Sequence, residues 1–239
     1  ANGFNTLSNS GRIESLTANY TGNTFENLAG GQLVGASAGN VALNLNVGQL
    51  TNQGQIFNNG VNMAFGGSIS NSGTITHAGI GVLTLGDNGS VDVGGGNIAT
   101  AGTARLMGSV SGAGGIFAQT GMEITSATPF VNSNSQLYTQ GNLQINAEVN
   151  NQGGTLIADG TLGINTSGTI TNSSGVIQGQ NLNLQAGTLA NDNGTITSTG
   201  SGVANIQAGS INNAGGLIQS SGSSLNVSST QGVINNAGG

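Results

Sequence analysis

The chain of 239 residues contains no cysteine, no tryptophan and only one proline. Without cysteine it forms no disulfide bond, which fits a protein that is exported unfolded through a narrow pore. Proline lacks the backbone N–H group that a β-ladder needs, so its scarcity permits long uninterrupted ladders. Aromatic residues make up 3% and hydrophobic residues 35% of the chain. A compact globular core built from so few apolar side chains would be underfilled, and we expect a different architecture.

Charged residues are also scarce, at 4% of the chain, whereas typical globular domains contain about 25%. The basic side chains are Arg12 and Arg105, there is no lysine, and the formal net charge is −6. This balance argues against nucleic-acid binding, because phosphates require clustered positive charge. No run of about 18 apolar residues is present, so we expect no membrane-spanning segment. The first residues, ANGFNTLSNSG, have no basic region and no apolar stretch, so we expect no signal peptide there.

A unit of about twenty residues recurs from end to end. Its clearest copies are VNNQGGTLIADGTLGI from Val149, ITNSSGVIQGQNLNL from Ile170, LANDNGTITSTG from Leu189 and INNAGGLIQSSGSSLNV from Ile211. A disordered low-complexity chain need not hold apolar residues at such regular spacing. A fixed period of this length is typical of a solenoid, in which each unit is one coil that buries its apolar face against the next.

The apolar residue that opens each unit sets the coil boundaries. We place these residues at Leu7, Leu28, Leu50, Ile69, Val91, Val110, Val131, Val149, Ile170, Leu189, Ile211 and Ile234. The mean spacing, (234 − 7)/11, is about 20.6 residues. The chain therefore contains eleven complete coils and the start of a twelfth.

Each coil has three apolar positions separated by small or polar residues. The opening residue comes first, a single β-forming residue such as Ile177 or Ile196 follows, and an alternating pair such as Leu182/Leu184 comes third. Alternation with period two indicates a strand with one buried face. The sequence therefore predicts an all-β fold, a parallel β-helix of about eleven to twelve coils of ~20 residues with three short strands per coil.

Asparagine recurs two residues after the opening position, where we expect it to stack in a ladder. Its amide would bond to the amide of the next coil or to a turn carbonyl. The ladder residues expected from this position include Asn52, Asn71, Asn151, Asn172, Asn191 and Asn213, with Asn9 and Asn236 in the same place.

Glycine recurs four residues after the second apolar position, as at Gly79, Gly102, Gly160, Gly200 and Gly222, and Asn181 replaces it once. Glycine and asparagine are the residues that most readily adopt positive φ. Their interchange predicts a left-handed turn residue at this place.

The units VNNQGGTLIADGTLGI, LTNQGQIFNNGVNMAF and INNAGGLIQSSGSSLNV resemble the repeats of filamentous hemagglutinin-type exoproteins of bacterial two-partner secretion. The resemblance is plainest in residues 50–85 and 131–239, and the pattern that carries it is Asn-x-x-Gly followed by a Leu-x-Leu strand. It implies a right-handed β-helix that is exported through a partner outer-membrane barrel to the bacterial cell surface. The family includes adhesins and contact-dependent growth inhibition effectors.

The resemblance also implies which part of such a protein the sequence represents. The family's secretion domain carries Asn-Pro-Asn motifs, and its effectors end in a non-repetitive toxin domain; this sequence shows neither. We therefore expect residues 1–239 to be a single β-helical segment cut from a longer rod, with less regular coils in residues 86–130.

The residues capable of catalysis or metal binding are scattered. His77 is the only histidine, and we expect it to be exposed or at a coil edge. Asp87 and Asp92 lie in GDNGSVDVGGGN, which is similar to a calcium-binding repeat but occurs once, whereas such sites form between successive copies. A general base needs an orienting partner and a cleft. The sequence therefore predicts no enzyme, no cofactor and no metal site.

One surface feature stands out in the sixth to eighth coils. Ile116, Tyr138 and Ile157 flank the buried second position, where other coils mostly carry polar residues. An apolar patch on neighbouring coils can mark a partner contact. The alternative is that these side chains only strengthen the sheet or lie under a loop.

These observations favour a non-enzymatic role. We expect the structural shaft of a large secreted or cell-surface bacterial exoprotein that extends a distal binding or toxin module. The alternative is an adhesive module that itself binds a receptor, glycan or matrix component. The sequence leaves open whether the parent protein is an adhesin, a growth-inhibition effector or a biofilm protein.

Overall fold

The computed structural model describes residues 1–87, 89–126, 129–222 and 224–238, without the side chain of Val41. All regular secondary structure in these residues is β. No helix in this part of the chain is long and apolar enough to cross a membrane. The chain divides into two compact units, Ala1–Gly121 and Met122–Gly239. The strand β16 (Gly121–Ile124) starts at the last residue of the first unit.

The strands of the first unit are short, and most have four residues. They are β1 (Asn2–Asn9), β2 (Arg12–Ser15), β3 (Ala18–Asn27), β4 (Gln32–Gly35), β5 (Val41–Asn52), β6 (Gln55–Asn58), β7 (Asn62–Phe65), β8 (Ser68–Asn71), β9 (Thr74–His77), β10 (Val82–Leu85), β11 (Val91–Asp92), β12 (Asn97–Thr100), β13 (Thr103–Leu106), β14 (Val110–Ser111) and β15 (Gly115–Ala118).

The second unit contains longer strands, in which one element continues around a corner of the coil. Its strands are β17 (Phe130–Ser133), β18 (Gln136–Thr139), β19 (Asn142–Ile145), β20 (Val149–Asn150), β21 (Thr155–Asn165), β22 (Thr169–Thr171), β23 (Val176–Ala190), β24 (Thr195–Ser198), β25 (Val203–Asn212), β26 (Leu217–Ser220) and β27 (Ser224–Asn235).

Successive coils pair in parallel and in register. In the second unit the opening residues form one column, Phe130, Val149, Ile170, Leu189, Ile211 and Ile234. In the first unit the corresponding column is Leu7, Phe25, Leu50, Ile69, Val91 and Val110. The predicted all-β parallel solenoid is confirmed, with about eleven turns.

Two opening residues differ from the sequence prediction. The second coil opens at Phe25 and not at Leu28, because Phe25 pairs with both Leu7 and Leu50 and is fully buried. The seventh coil likewise opens at Phe130, which pairs with Val149, and not at Val131. Side chains alternate between the two faces of a strand, so a coil that opened at Val131 would turn Phe130 outward, whereas Phe130 is fully buried.

Like residues stack on like residues inside each unit. The second apolar positions form the columns Leu33, Ile56, Ile75, Ile98 and Ile116, and Leu137, Leu156, Ile177, Ile196 and Ile218. In the second unit the third position stacks Leu143/Ile145 on Leu162/Ile164 and then on Leu182/Leu184. Stacked branched side chains fill most of each core, and Phe25, Phe65 and Phe130 are the largest side chains among them.

The prediction of left-handed glycines after the second apolar position is wrong. Gly79, Gly102, Gly160, Gly200 and Gly222 do not have positive φ. A Cβ on Gly79 would lie 2.0 Å from the carbonyl oxygen of Gly60, and one on Gly222 would lie 2.0 Å from that of Gly202. Glycine is needed there because the backbones of neighbouring coils approach closely.

Most left-handed residues lie in the turn that follows the first strand of a coil. In the second unit they come two residues after the asparagine of the ladder, as at Gly153 (φ 65°), Ser174 (φ 54°), Asn193 (φ 53°) and Gly215 (φ 63°). The turn is closed by the N–H of the next glycine, as where Gly194 donates to the carbonyl of Asn191 at 3.1 Å. Small or short polar residues are required there because others rarely adopt this conformation.

The Asn-x-x-Gly spacing has a steric origin that gives a first prediction. A Cβ on Gly194 would lie 2.0 Å from the carbonyl oxygen of Asn172 in the preceding coil, and no side-chain rotation relieves that contact. We expect Gly194→Ala to lower the free energy of unfolding by about 2–3 kcal/mol in urea denaturation.

Gly95→Ala is the matched control, because a Cβ there meets no atom within 4 Å and the glycine is exposed. Its effect should stay within about 0.5 kcal/mol. Equal losses in the two variants would contradict the steric explanation.

Candidate functional site: the asparagine ladder and the outer strand faces

A ladder of side-chain amides, buried except at its last member Asn236, connects successive coils of the second unit. Each Nδ2 donates to the Oδ1 of the asparagine in the next coil, over distances of 2.6–2.7 Å. The members are Asn132, Asn151, Asn172, Asn191, Asn213 and Asn236. Charge-free amides can repeat in this way because each offers both a donor and an acceptor along the stack.

Each rung of the ladder also fixes two turns. Asn172 Nδ2 lies 3.2 Å from the carbonyl oxygen of Gly175 in its own coil and 3.1 Å from that of Thr195 in the next. Asn151 and Asn191 make the same pair of contacts, each with one carbonyl of its own coil and one of the next. The carbonyls of Gly154, Gly175 and Gly194 also accept a backbone N–H of the next coil, at 2.8–2.9 Å. The ladder therefore adds a side-chain donor to interior carbonyls that already pair with the backbone.

The first unit contains a shorter ladder of the same geometry. Asn9 donates to Asn27 at 2.9 Å, Asn27 to Asn52 at 2.8 Å, and Asn52 to Asn71 at 2.7 Å. In the next two coils, Val93 and then Gly112 occupy the position of the asparagine, so this ladder ends at Asn71.

All six ladder residues that the sequence indicated are buried in these ladders. Two further members, Asn27 and Asn132, were missed because their coils had been opened at Leu28 and Val131. The sequence does contain the pattern that identifies them. Phe25 stands two residues before Asn27 in TFEN, and Phe130 stands two residues before Asn132 in FVNS.

The ladder gives a second prediction. Asn172→Leu preserves the approximate volume but removes the acceptor of Asn151 and the donor to Asn191. Buried groups left without partners cost about 1–3 kcal/mol each, so we expect the free energy of unfolding to fall by about 2–4 kcal/mol.

The control is Asn183→Leu, at an exposed asparagine within the same coil. A surface change there should alter stability by about 0.5 kcal/mol or less. Urea denaturation of both variants would show whether burial in the ladder is what matters, and a similar loss in both would refute it.

His77 is 1% exposed, so the expectation of an exposed or coil-edge histidine is wrong. It lies in a column between Asn58 and Thr100. Its Nε2 is 3.0 Å from the carbonyl oxygens of Gly60 and of Val61, and its Nδ1 is 2.8 Å from Thr100 Oγ1. Two carbonyl neighbours place the proton on Nε2, so that Nδ1 accepts from the hydroxyl of Thr100. The imidazole therefore closes a coil corner and faces no cleft.

Burial lowers the pKa of His77 below its ordinary value of 6.5, although the hydrogen bonds to Gly60 and Val61 act in the opposite direction. The unfolded chain therefore binds the proton more readily than the folded chain. The stabilisation that follows is complete above the ordinary pKa and is lost as the pH falls below it.

The direction of this pH dependence gives a third prediction. Because the chain contains a single histidine, the change in stability can be assigned to His77. We expect the thermal unfolding midpoint to fall between about pH 7.5 and about pH 5.5, a range in which carboxylates barely titrate. His77→Gln should be less stable at the higher pH but should lose most of this pH dependence. A midpoint that changes equally with pH in both proteins would contradict a buried neutral histidine.

The patch expected on the outer face of the second strands is only partly present. Ile116 is 1% exposed and points inward, because it pairs with the buried Ile98; the outward residue of that strand is Phe117. Tyr138 and Ile157 do point outward, are paired in register, and are half-buried. A role for them as a partner contact stays a prediction.

Tyr138 is held in place by a carboxylate of the next coil. Its hydroxyl donates to Asp159 Oδ2 at 2.5 Å, and this hydrogen bond raises the pKa of Tyr138 above its ordinary value. The first unit presents a similar outward apolar pair that the sequence pattern did not indicate, Val34 and Phe57, with Phe57 38% exposed.

The acidic residues do not gather into a site. In the part of the chain that the structure describes, no group of three His, Cys, Asp or Glu side chains is placed to hold a metal ion. Glu14 forms an exposed ion pair with Arg12 at 2.6 Å, and Arg12 Nη1 also bonds to Gln32 Oε1 at 2.7 Å. Exposed pairs of this kind contribute little to stability.

Comparison with known families identifies the repeat. Residues 138–201 and 201–239 match the family model described as haemagglutinin repeat. This part of the chain is similar to haemagglutinin repeats. The solenoid described above fits a filamentous hemagglutinin-type repeat region. Searches of curated proteins and of solved structures gave no match.

Proposed function

We propose that this chain is the structural shaft of a large bacterial exoprotein, secreted or displayed at the cell surface, that extends a distal binding or toxin module. The observation that carries the proposal is the amide ladder within haemagglutinin repeats. Repeats of this family point to an extracellular or surface protein with a structural, adhesin-like role.

The mechanism is the conversion of chain length into reach. Parallel strands in neighbouring coils lie about 4.8 Å apart, so each added coil lengthens the stack by that amount. Because each coil contacts mainly its neighbours, coils can be added or removed without redesigning the core.

The proposed route to the surface passes through the outer-membrane barrel of a two-partner secretion system. A chain without cysteine cannot be trapped by disulfide bonds before export. Local, in-register pairing between successive coils also lets folding proceed coil by coil as the chain emerges. Whether the distal module is an adhesive domain or a growth-inhibition toxin depends on the parent protein.

The shaft role makes a fourth prediction. Deleting Val149–Thr188 removes two coils and joins Glu148 to Leu189, which occupies the same column as Val149. We expect a folded, cooperatively unfolding protein in which the distance between labels on Gln136 and Gln219 falls by about 10 Å, twice the strand spacing. Both positions are exposed, and the absence of cysteine allows labelling at two introduced cysteines.

The control deletion, Val149–Val176, joins positions from different columns and should prevent cooperative folding of this unit. Distances can be measured by electron paramagnetic resonance. An unfolded two-coil deletion, or an unchanged distance, would argue against a shaft whose length is set by coil number.

A further inference from the structure

The outer face of the third strands in the second unit carries two neighbouring columns of side-chain amides, which we call the amide face. The first column is Gln144, Gly163, Asn183, Asn205 and Asn226. The second column is Asn165, Gln185, Gln207 and Ser228. The amide side chains in both columns are exposed to solvent.

The amide face is ordered along the stack of coils. Asn226 Nδ2 donates to Asn205 Oδ1 at 3.0 Å, which aligns two neighbouring rungs. Where the column contains Gly163, a Cβ would lie 2.4 Å from Gln144 Oε1, so the glutamine side chain of the preceding coil lies over the glycine. The coil of Gly163 contributes Asn165 in the second column, so every coil from Gln144 to Asn226 presents at least one exposed amide.

This composition does not follow from the fold. The equivalent outer column of the first unit is Asn19, Asn44, Ala64, Thr84 and Arg105, which mixes amides with an apolar residue and a cation. Both units have the same buried architecture, so the fold tolerates other residues at these outward positions. The amides that occupy all but two of the positions in these columns of the second unit need an explanation outside folding.

Charge limits what the amide face can bind. The two columns contain no charged residue, and the chain carries a net charge of −6. A polyanion such as a sulfated glycan would be repelled, and so would a second copy of the chain, which carries the same charge. An apolar partner would leave the amides without hydrogen bonds.

An uncharged polymer rich in hydroxyl groups fits the remaining requirements. Hydroxyls donate and accept hydrogen bonds, as amides do. The coils repeat at about 4.8 Å, which is close to the length of one sugar ring in an extended β-linked chain. We propose that the amide face binds a neutral, extended β-linked glycan that runs along the stack of coils, with about one sugar per coil.

This inference goes beyond the shaft role and does not depend on it. A shaft with such a face would also hold the exoprotein against a neutral polysaccharide layer. Because each coil contributes a weak, similar contact, affinity should grow with the number of sugars that the stack engages.

The test is isothermal titration of the 239-residue chain with cellohexaose and with chitohexaose, two neutral β-1,4-linked hexasaccharides. We expect at least one to bind, with cellobiose or chitobiose at least tenfold weaker because it spans fewer coils. The double substitution Asn183→Ala with Asn205→Ala should weaken hexasaccharide binding at least tenfold. Gln185→Ala with Gln207→Ala, in the adjacent column, should have a similar effect.

The matched control is Gln136→Ala with Gln219→Ala, which removes two exposed amides from the second-strand face of the same unit and should leave binding unchanged. Thermal unfolding of every variant would establish that it is folded. The proposal is overturned if neither hexasaccharide binds, if the amide-face variants bind as well as the control, or if heparin binds more tightly than both hexasaccharides.

Discussion

The hydrogen bond between stacked asparagine amides is the interaction on which the rest of the structure depends. It lies in the interior, where water cannot compete, and it links each coil to the next through a donor on one side and an acceptor on the other. The same Nδ2 holds carbonyls of two successive turns. In the coils of Asn151, Asn172, Asn191 and Asn213, the turn has a residue with positive φ two positions later and a glycine three positions later. The Asn-x-x-Gly motif is thus one physical unit that includes atoms of the neighbouring coil.

The turn can nevertheless form without the amide. Where Val93 replaces asparagine, the N–H of Gly96 still donates to the carbonyl of Val93 at 2.6 Å, and a Cβ on Gly96 would still lie 2.4 Å from the carbonyl oxygen of Gly73. Val93 is fully buried, so apolar packing replaces the polar contact there. Turn geometry is therefore set by the close approach of the backbones, and the amides add the connection between coils. Because turn geometry and the amide ladder have different physical origins, a repeat without the asparagine can still form a coil.

The sequence predicted the fold class and the ladder, because a single strong period determines both. The errors at Val131 and Ile116 came from pairs of adjacent apolar residues, because side chains alternate between the two faces of a strand and either member of such a pair could point inward. In GIFA, either Ile116 or Phe117 could point inward, and only the register with Ile98 in the preceding coil selects Ile116. The turn glycines were misread for a related reason. Their interchange with Asn181 suggested positive φ. The real constraint is steric, because a Cβ would collide with a backbone carbonyl of the neighbouring coil. The sequence of a single coil does not show that contact. The burial of His77 likewise depends on carbonyls of Gly60 and Val61 in the preceding coil.

Interior and exterior columns are therefore under different physical constraints. Inward positions must match the residue above and below, since an unpaired amide or a cavity would weaken every neighbouring coil. Outward positions meet only solvent, and the two units use them differently: one mixes Asn44, Ala64 and Arg105, whereas the other repeats Asn183, Asn205 and Asn226. A repeat protein of this kind can change what it contacts without changing how it folds. Recognition is then encoded in outward columns that run along the stack, and a linear polymer with a similar repeat is the partner that such columns can engage at many points.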